Sequence, residues 1–134
     1  MTREILFRGK VWGTDGQQLD FVYGYLCGDS FIKDKKGIEH VVIPETVGQY
    51  SSINSKISKK NPDGVKIFEG DIVKFYKSTS NYTVSITAKV IFERGSFYAY
   101  WEREMLGEIE IHKDLLTKYD SRYLRVIGNI HDKK

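Results

Sequence analysis

Cysteine, proline and alanine are all scarce in this sequence of 134 residues. The one cysteine, Cys27, excludes an internal disulfide and a cysteine-based zinc site. Two prolines occur and helix-favouring alanine is nearly absent, whereas aromatic residues make up 13% of the chain. Because aromatic side chains favour strands, this composition predicts a mainly β protein.

Long apolar runs are also missing. No stretch approaches the roughly 18–20 apolar residues that a membrane span needs, and the first residues lack the apolar core of a signal peptide. We therefore expect a soluble cytoplasmic protein without membrane contact. The formal net charge is +3, from 21 basic and 18 acidic residues. This excess permits contact with nucleic acid but does not argue for it.

Motifs of catalysis are absent as well. The chain has no phosphate-binding P-loop, no nucleophile elbow and no dinucleotide-binding glycine pattern. His40, His112 and His131 lie far apart, without the spacing of metal ligands. We expect neither an enzyme nor a bound cofactor or metal.

What is present is a succession of short strands. The first half predicts a β (or α+β) subdomain over residues 1–53, in which the Asp34–Gly37 turn joins a hairpin. The strand from Leu19 to Cys27 has apolar residues on both faces and is expected to be covered on both sides. These strands are too few to be stable alone, so we expect them to pack on the rest of the chain or to pair with another copy.

Residues 54–64 differ from their surroundings. They are polar, contain the turn sequence Asn61–Gly64 and carry Lys56, Lys59 and Lys60. A solvated loop or linker is the favoured interpretation. The alternative is a loop that contacts phosphates.

Residues 65–134 predict a C-terminal subdomain of about five short strands. Val84 to Phe92 shows the clearest alternation of apolar and polar side chains. Glu108 to Ile111 alternates too, with isoleucine expected inside, and His112 to Tyr119 predicts a short helical turn. The size and strand density suit a small SH3-like β-barrel.

The corner Glu69-Gly70-Asp71 leads into this second half. Residues two apart in an extended segment point to one side, so both carboxylates could serve one metal or one proton transfer. Gly70 between them indicates a turn, in which acidic side chains commonly accept backbone hydrogen bonds. A structural turn is therefore the favoured interpretation of all three residues.

Aromatic residues near arginine are the best candidates for binding. Phe97 and Trp101 should point one way and Tyr98 and Tyr100 the other, so one pair is expected to face solvent or a partner, unless both sides are buried. Exposed aromatic residues beside arginine can stack on bases or anchor a protein interface. The candidate binding residues are Lys56, Lys59, Lys60, Arg94, Tyr98, Tyr100 and Arg103.

Three ordered blocks carry a resemblance to a known family. They are Arg3–Gly9, then Val47–Tyr50 with Asn61–Val73, and finally Val126–His131. This arrangement resembles the YopX family of phage and prophage proteins. The resemblance implies a mainly β protein with a C-terminal SH3-like barrel, often found as an oligomer. It implies no activity and no catalytic residues.

The sequence thus predicts a non-catalytic binding or interaction module. Its expected partners are another copy of the chain and a host or phage protein. The alternative function is a nucleic-acid-binding accessory protein of phage DNA metabolism or regulation.

Overall fold

The structure is a computed structural model that describes residues 5–55, 64–78, 80–119 and 123–131. It is mainly β, as the composition predicts, and its sheets are antiparallel. The chain divides into two compact units, residues 1–52 and 53–134. None of the helices in the described part of the chain is long and apolar enough to cross a membrane.

The first unit contains one sheet with the strand order β4-β3-β2-β1-β5. Its strands are β1 (Phe7–Trp12), β2 (Gln18–Leu26), β3 (Phe31–Lys33), β4 (Glu39–Val41) and β5 (Gly48–Asn54), the last of which runs two residues past the unit. A short 3₁₀ helix over Pro44–Thr46 precedes β5. Pro44 opens this helix, where its missing N–H needs no partner within the helix.

The predicted turn between β3 and β4 is confirmed. Gly37 has a φ of 86°, a conformation that glycine adopts without steric cost. The Asp34 carboxylate accepts the backbone N–H groups of Lys36 and Ile38 at 2.9 and 3.0 Å. An aspartate side chain commonly stabilises a turn by accepting such backbone N–H groups.

Strand β2 differs from its prediction. Leu19, Tyr23, Tyr25 and Leu26 are all exposed, so the strand is not covered on both sides. Phe21 is half-buried, with the guanidinium of Arg8 4.1 Å from its ring centre. Apolar side chains on both faces of a strand permit double burial but do not enforce it.

The second unit is built on a five-stranded sheet in the order β10-β9-β8-β7-β11. The strands of this unit are β6 (Lys66–Phe68), β7 (Asp71–Ser78), β8 (Thr83–Glu93), β9 (Ser96–Met105), β10 (Glu108–Leu115) and β11 (Arg125–Asn129). The alternation predicted for β8 is confirmed, since Ile86, Ala88 and Val90 are buried. They form one core with Ile67, Val73, Phe75, Phe97, Ala99, Leu116 and Leu124.

The segment after β9 confirms one prediction in part and contradicts another. A short helical turn does occur within His112–Tyr119, but it is a 3₁₀ helix over Leu116–Lys118 only, because strand β10 continues to Leu115. The prediction that the isoleucines of this strand point inward was wrong. Ile109 and Ile111 are exposed, while His112 and Asp114 on the other face of β10 are half-buried. Alternation alone separates the two faces of a strand, and packing then decides which one meets the core.

The two sheets are not closed into a barrel within the described residues. The SH3-like barrel therefore stays a prediction. What the structure establishes is a meander from β7 to β10, with β11 returning to pair beside β7.

Candidate binding surfaces

Strand β9 separates its aromatic residues by face. Phe97 is buried in the core and Trp101 packs against it, whereas Tyr98 and Tyr100 are half-buried on the opposite side. We call that opposite side of strands β7 to β10 the outer face. The structure thus gives one aromatic pair to the core and leaves the other pair accessible.

Two lysines flank the outer tyrosines. Tyr100 pairs across the sheet with Lys89 on one side and with Lys113 on the other. The Lys89 and Lys113 ammonium groups lie 5.0 Å from the ring centres of Tyr100 and Tyr98, respectively, which is cation–π geometry. Partial removal from water, followed by the nearby charge of Glu102, raises the pKa of Tyr100. The phenol of Tyr100 therefore remains a neutral donor.

Strand β10 adds an apolar strip to the outer face. Ile109, Ile111 and Leu115 are all exposed, although they alternate with side chains of the opposite face. Beside the strip, at the turn before β10, Leu106 is fully exposed with a φ of 53°. Leucine rarely adopts this left-handed conformation, because its Cβ crowds the backbone. Exposed apolar groups on an end strand are typical of interaction sites.

The five-stranded sheet is forked at one end. The ladder between β8 and β9 ends at Lys89 and Tyr100. Beyond that pair, β8 stays bonded to β7, and β9 stays bonded to β10. A cleft of about 610 Å³ lies between the branches, and we call it the fork cleft. Its lining consists of Lys77, Tyr82, Val84, Ser85, Ile86, Thr87, Trp101, Glu102, Arg103 and His112.

A stacked ring pair belongs to the wall of the fork cleft. Trp101 and His112 are cross-strand partners whose rings are 5.2 Å apart and within 10° of parallel. Phe75 meets the indole edge-on at 5.7 Å, which holds the indole against the core. The His112 Nε2 atom is 3.3 Å from a carboxylate oxygen of Glu110. Phe75 therefore supports the indole ring of Trp101, and Glu110 contacts the imidazole ring of His112.

The predicted binding residues do not form one site. Tyr98 and Tyr100 lie on the outer face, and Arg103 lines the fork cleft. Arg94 is exposed in the β8–β9 turn with a φ of 51°, at the opposite end of β9 from Arg103. Lys56, Lys59 and Lys60 lie outside the described residues.

Four residues near these surfaces were not predicted from the sequence. They are Lys77, Lys89, Lys113 and His112. The alternation of β8 places Lys89 opposite the core, so its exposure could have been inferred. Its contact with Tyr100 depends on the register between strands, which no local pattern encodes.

At the Glu69-Gly70-Asp71 corner, the Asp71 carboxylate accepts a hydrogen bond from the backbone. Asp71 is 2% exposed, and its carboxylate accepts the Phe68 N–H at 2.8 Å. Gly70 has a φ of 93°, donates to Val90 O and accepts from Ile130 N, both at 2.8 Å. Through these bonds the corner connects β6, β8 and the residue that follows β11.

The side-chain contacts of Asp114 and Asp34 each join only two or three residues and lie in different units. Asp114 accepts a short hydrogen bond from the Tyr119 hydroxyl and lies 3.6 Å from Lys118 Nζ. Mainly because of the Tyr119 bond, the pKa of Asp114 is lowered. In the first unit, Asp34 accepts from His40 at 2.8 Å. In the parts of the chain that the structure describes, no three His, Cys, Asp or Glu residues are grouped to hold a metal ion.

These features define a two-unit antiparallel β protein with an accessible aromatic face and a forked sheet. The family model described as YopX protein matches residues 16–133. The chain therefore belongs to the YopX family, which confirms the resemblance inferred from its sequence blocks. The matched range begins after the Arg3–Gly9 block. Comparison with curated proteins found no match, and comparison with solved structures also found none.

Proposed function

We propose that this protein is a non-catalytic binding module and that a partner protein binds along β10. The observation that carries the proposal is the exposed apolar strip of Ile109, Ile111 and Leu115 on an end strand of the sheet. An extended segment of a partner can add to such an edge through main-chain hydrogen bonds. The partner would be a host or phage protein.

Side chains beside the strip support this mode of binding. Tyr98 lies opposite Leu115, and Tyr100 lies opposite Lys113, so a strand added to β10 would sit next to a surface of rings and cations. Tyrosine is enriched in the energetic centres of interfaces because it buries a large area at a small cost in side-chain entropy. The strained, fully exposed Leu106 would provide a further apolar contact at the turn.

Affinity capture from a host cell, with and without nuclease, tests the proposal. The wild-type protein is compared with the double variant Ile109→Glu and Ile111→Glu, which places two charges in the strip without touching the core. Partners that bind at β10 are lost from the variant and are kept after nuclease treatment. The matched control is Ile127→Glu, since Ile127 is 52% exposed on β11 at the other edge. Equal capture by the wild type and the double variant would exclude β10.

Nucleic-acid binding is the second candidate function. The observation that favours it is the placement of Lys89 and Lys113 beside the rings of Tyr100 and Tyr98, because cations beside accessible rings can hold phosphates while bases stack. Lys113 also pairs with Glu93 at 3.0 Å, so Lys89 is the stronger candidate for a phosphate contact. Fluorescence anisotropy of labelled DNA and RNA, single- and double-stranded, should then increase on binding. Affinity should fall steeply with salt. Absence of binding at low salt excludes this function.

Self-association is a further part of the proposal. The exposed residues of β2 in the first unit, including Tyr23 and Tyr25, would be covered by a second copy. The setting that we propose is the cytoplasm of a host cell that carries a phage or prophage.

For the fold, we infer an SH3-like organisation of residues 65–134. The meander from β7 to β10, the short 3₁₀ helix over Leu116–Lys118 and the return of β11 to β7 support it. Such small β modules commonly serve as binding domains.

A further inference from the structure

The fork cleft has the size of a small-ligand site. Its volume of about 610 Å³ lies within the range of roughly 300–1,000 Å³ that is usual for ligand pockets. Val84, Ile86 and Trp101 provide apolar surface, and the other lining residues carry polar groups. The cleft lies entirely within the second unit and is distinct from the strip on β10, which faces away from the core.

The ring pair in its wall favours a flat ligand. Trp101 and His112 are nearly parallel at 5.2 Å, and their contacts with Phe75 and Glu110 hold both rings in place. A planar aromatic group can continue such a stack because every base or similar ring offers a π-face.

The charges in the lining favour an anion. Lys77 and Arg103 are permanent cations, and both are exposed. Glu102 is the one carboxylate in the lining, and it accepts a hydrogen bond from Tyr100 at 3.3 Å. Glu110 contacts His112 and is the cross-strand neighbour of Arg103, and the charge of Lys77 also reaches Asp114. The lining alone still holds two cations against one carboxylate.

From this combination, we propose that the fork cleft binds a nucleotide, with the base stacked on the Trp101–His112 pair and the phosphate held by Lys77 and Arg103. The same chemistry is offered by a free nucleoside monophosphate and by one nucleotide of a single strand. The side chains that would hold the nucleotide differ from Ile109, Ile111 and Leu115, which form the strip proposed for protein binding.

Indole N–H signals in the ¹⁵N NMR spectrum provide a direct test. The chain has two tryptophans, Trp12 and Trp101, and Trp12→Phe assigns the two signals. Trp12 lies in the first unit and serves as an internal control. Titration with nucleoside monophosphates should shift the Trp101 signal saturably and leave the Trp12 signal in place. The nucleoside without phosphate should bind more weakly, and inorganic phosphate alone should produce no ring-current shift.

Single-strand oligonucleotides form the second arm of the test. If the nucleotide belongs to a strand, an oligomer of deoxythymidine saturates the Trp101 shift at lower concentration than the monophosphate does. If the natural ligand is a free nucleotide, both saturate at similar concentrations of nucleotide units. An absence of any saturable Trp101 shift in both arms overturns the proposal.

Two variants separate the cleft from the outer face. Lys77→Ala with Arg103→Ala should lower the slope of log affinity against log salt by about one for each cation that contacts phosphate. Lys74→Ala with Arg125→Ala removes the same charge from paired positions on β7 and β11 and should have little effect. Equal weakening by both pairs would mean general electrostatic attraction and would refute a specific site.

The stack itself is tested with His112→Ala. His112 is on the end strand and half-exposed, so its loss should leave the fold intact, as judged by the remaining NMR signals. Loss of one stacking partner should weaken nucleotide binding roughly 5- to 150-fold. Unchanged affinity in a folded His112→Ala protein would show that the base does not use this platform.

Discussion

At the scale of single residues, polar side chains in the second unit stabilise backbone corners and neighbouring side chains. Asp71 accepts the Phe68 N–H in a buried corner, and Asp114 accepts from Tyr119, whose ring packs 4.3 Å from that of Phe75. In each case the carboxylate replaces the hydrogen bond to water that the donor loses when the chain folds. Removing one partner of such a buried hydrogen bond lowers the free energy of unfolding, because the other partner is left unsatisfied.

Replacing Tyr119 with phenylalanine should remove the hydrogen bond to Asp114 and keep the ring. Because that bond lowers the pKa of Asp114 below its ordinary value of 3.8, its contribution is present above about pH 4 and is lost as the pH falls through the folded-state pKa. We expect a loss of about 0.5–1 kcal/mol in unfolding free energy near neutral pH. Urea unfolding between pH 3 and pH 7 measures this loss.

The pH dependence distinguishes this effect from lost packing. The difference between wild type and Tyr119→Phe should shrink below pH 4, whereas a packing defect would persist. Tyr76→Phe on β7, where the ring is 61% exposed, is the matched control and should be neutral at every pH.

Gly70 should tolerate alanine poorly because of its backbone conformation. Its φ is 93°, and an added Cβ would meet its nearest neighbours at an ordinary 3.7 Å. The expected loss of about 2 kcal/mol therefore reports strain rather than collision. Asparagine accepts left-handed conformations more readily, so Gly70→Asn should lose less than Gly70→Ala in chemical denaturation. Equal losses would mean that strain is not the cause.

At the scale of elements, the hairpins are defined by turns and by close backbone approach. Gly24 in β2 lies where an added Cβ would be 2.0 Å from the carbonyl oxygen of Lys33 on β3. That distance is impossible without separating the strands. The three-residue strands β3 and β4 have few other bonds to hold them in the sheet.

Gly24→Ala should therefore disrupt the β2–β3 pairing, with a loss of about 3 kcal/mol from forced overpacking. Hydrogen exchange at the amides of β3 and β4 should accelerate. Gly37→Asn is the control, because an added Cβ there has nothing within 4 Å and asparagine suits its turn. If β3 amides remain protected in Gly24→Ala, the close approach does not determine this pairing.

At the scale of the whole molecule, exposed apolar residues occur in both units. Trp12, Tyr25 and Val41 are more than half exposed in the first unit, as are Ile109 and Ile111 in the second. Where such groups form a contiguous patch, they mark a surface at which proteins associate. Substitutions in each set can therefore show which unit forms the contact between copies.

Light scattering coupled to sizing should give a mass that is a multiple of 15.5 kDa. Tyr25→Lys should shift the distribution toward the monomer if β2 forms the interface, whereas Tyr76→Lys on β7 should not. If copies associate through β10 instead, Ile111→Glu should shift the distribution toward the monomer and Tyr25→Lys should not. A strict monomer at high micromolar concentration contradicts self-association altogether.

Features that depend on near neighbours in the chain follow from the amino-acid sequence. Alternation places Ile86, Ala88 and Val90 on one face of β8, and the Asp34–Gly37 reversal needs only its own side chain and a glycine. Family membership also follows from local blocks. These signals span a few residues, so no knowledge of distant contacts was required.

Which side chains form the accessible surfaces depends on long-range packing, and local sequence patterns do not specify it. Alternation in β10 is compatible with either face inward, and packing buried the side of His112 and Asp114 while leaving Ile109 and Ile111 exposed. Nearness in sequence groups Arg103 with Tyr98 and Tyr100, but the fork after Lys89 and Tyr100 assigns Arg103 to the cleft instead. Both outcomes depend on strand register and divergence, which are long-range properties of the sheet.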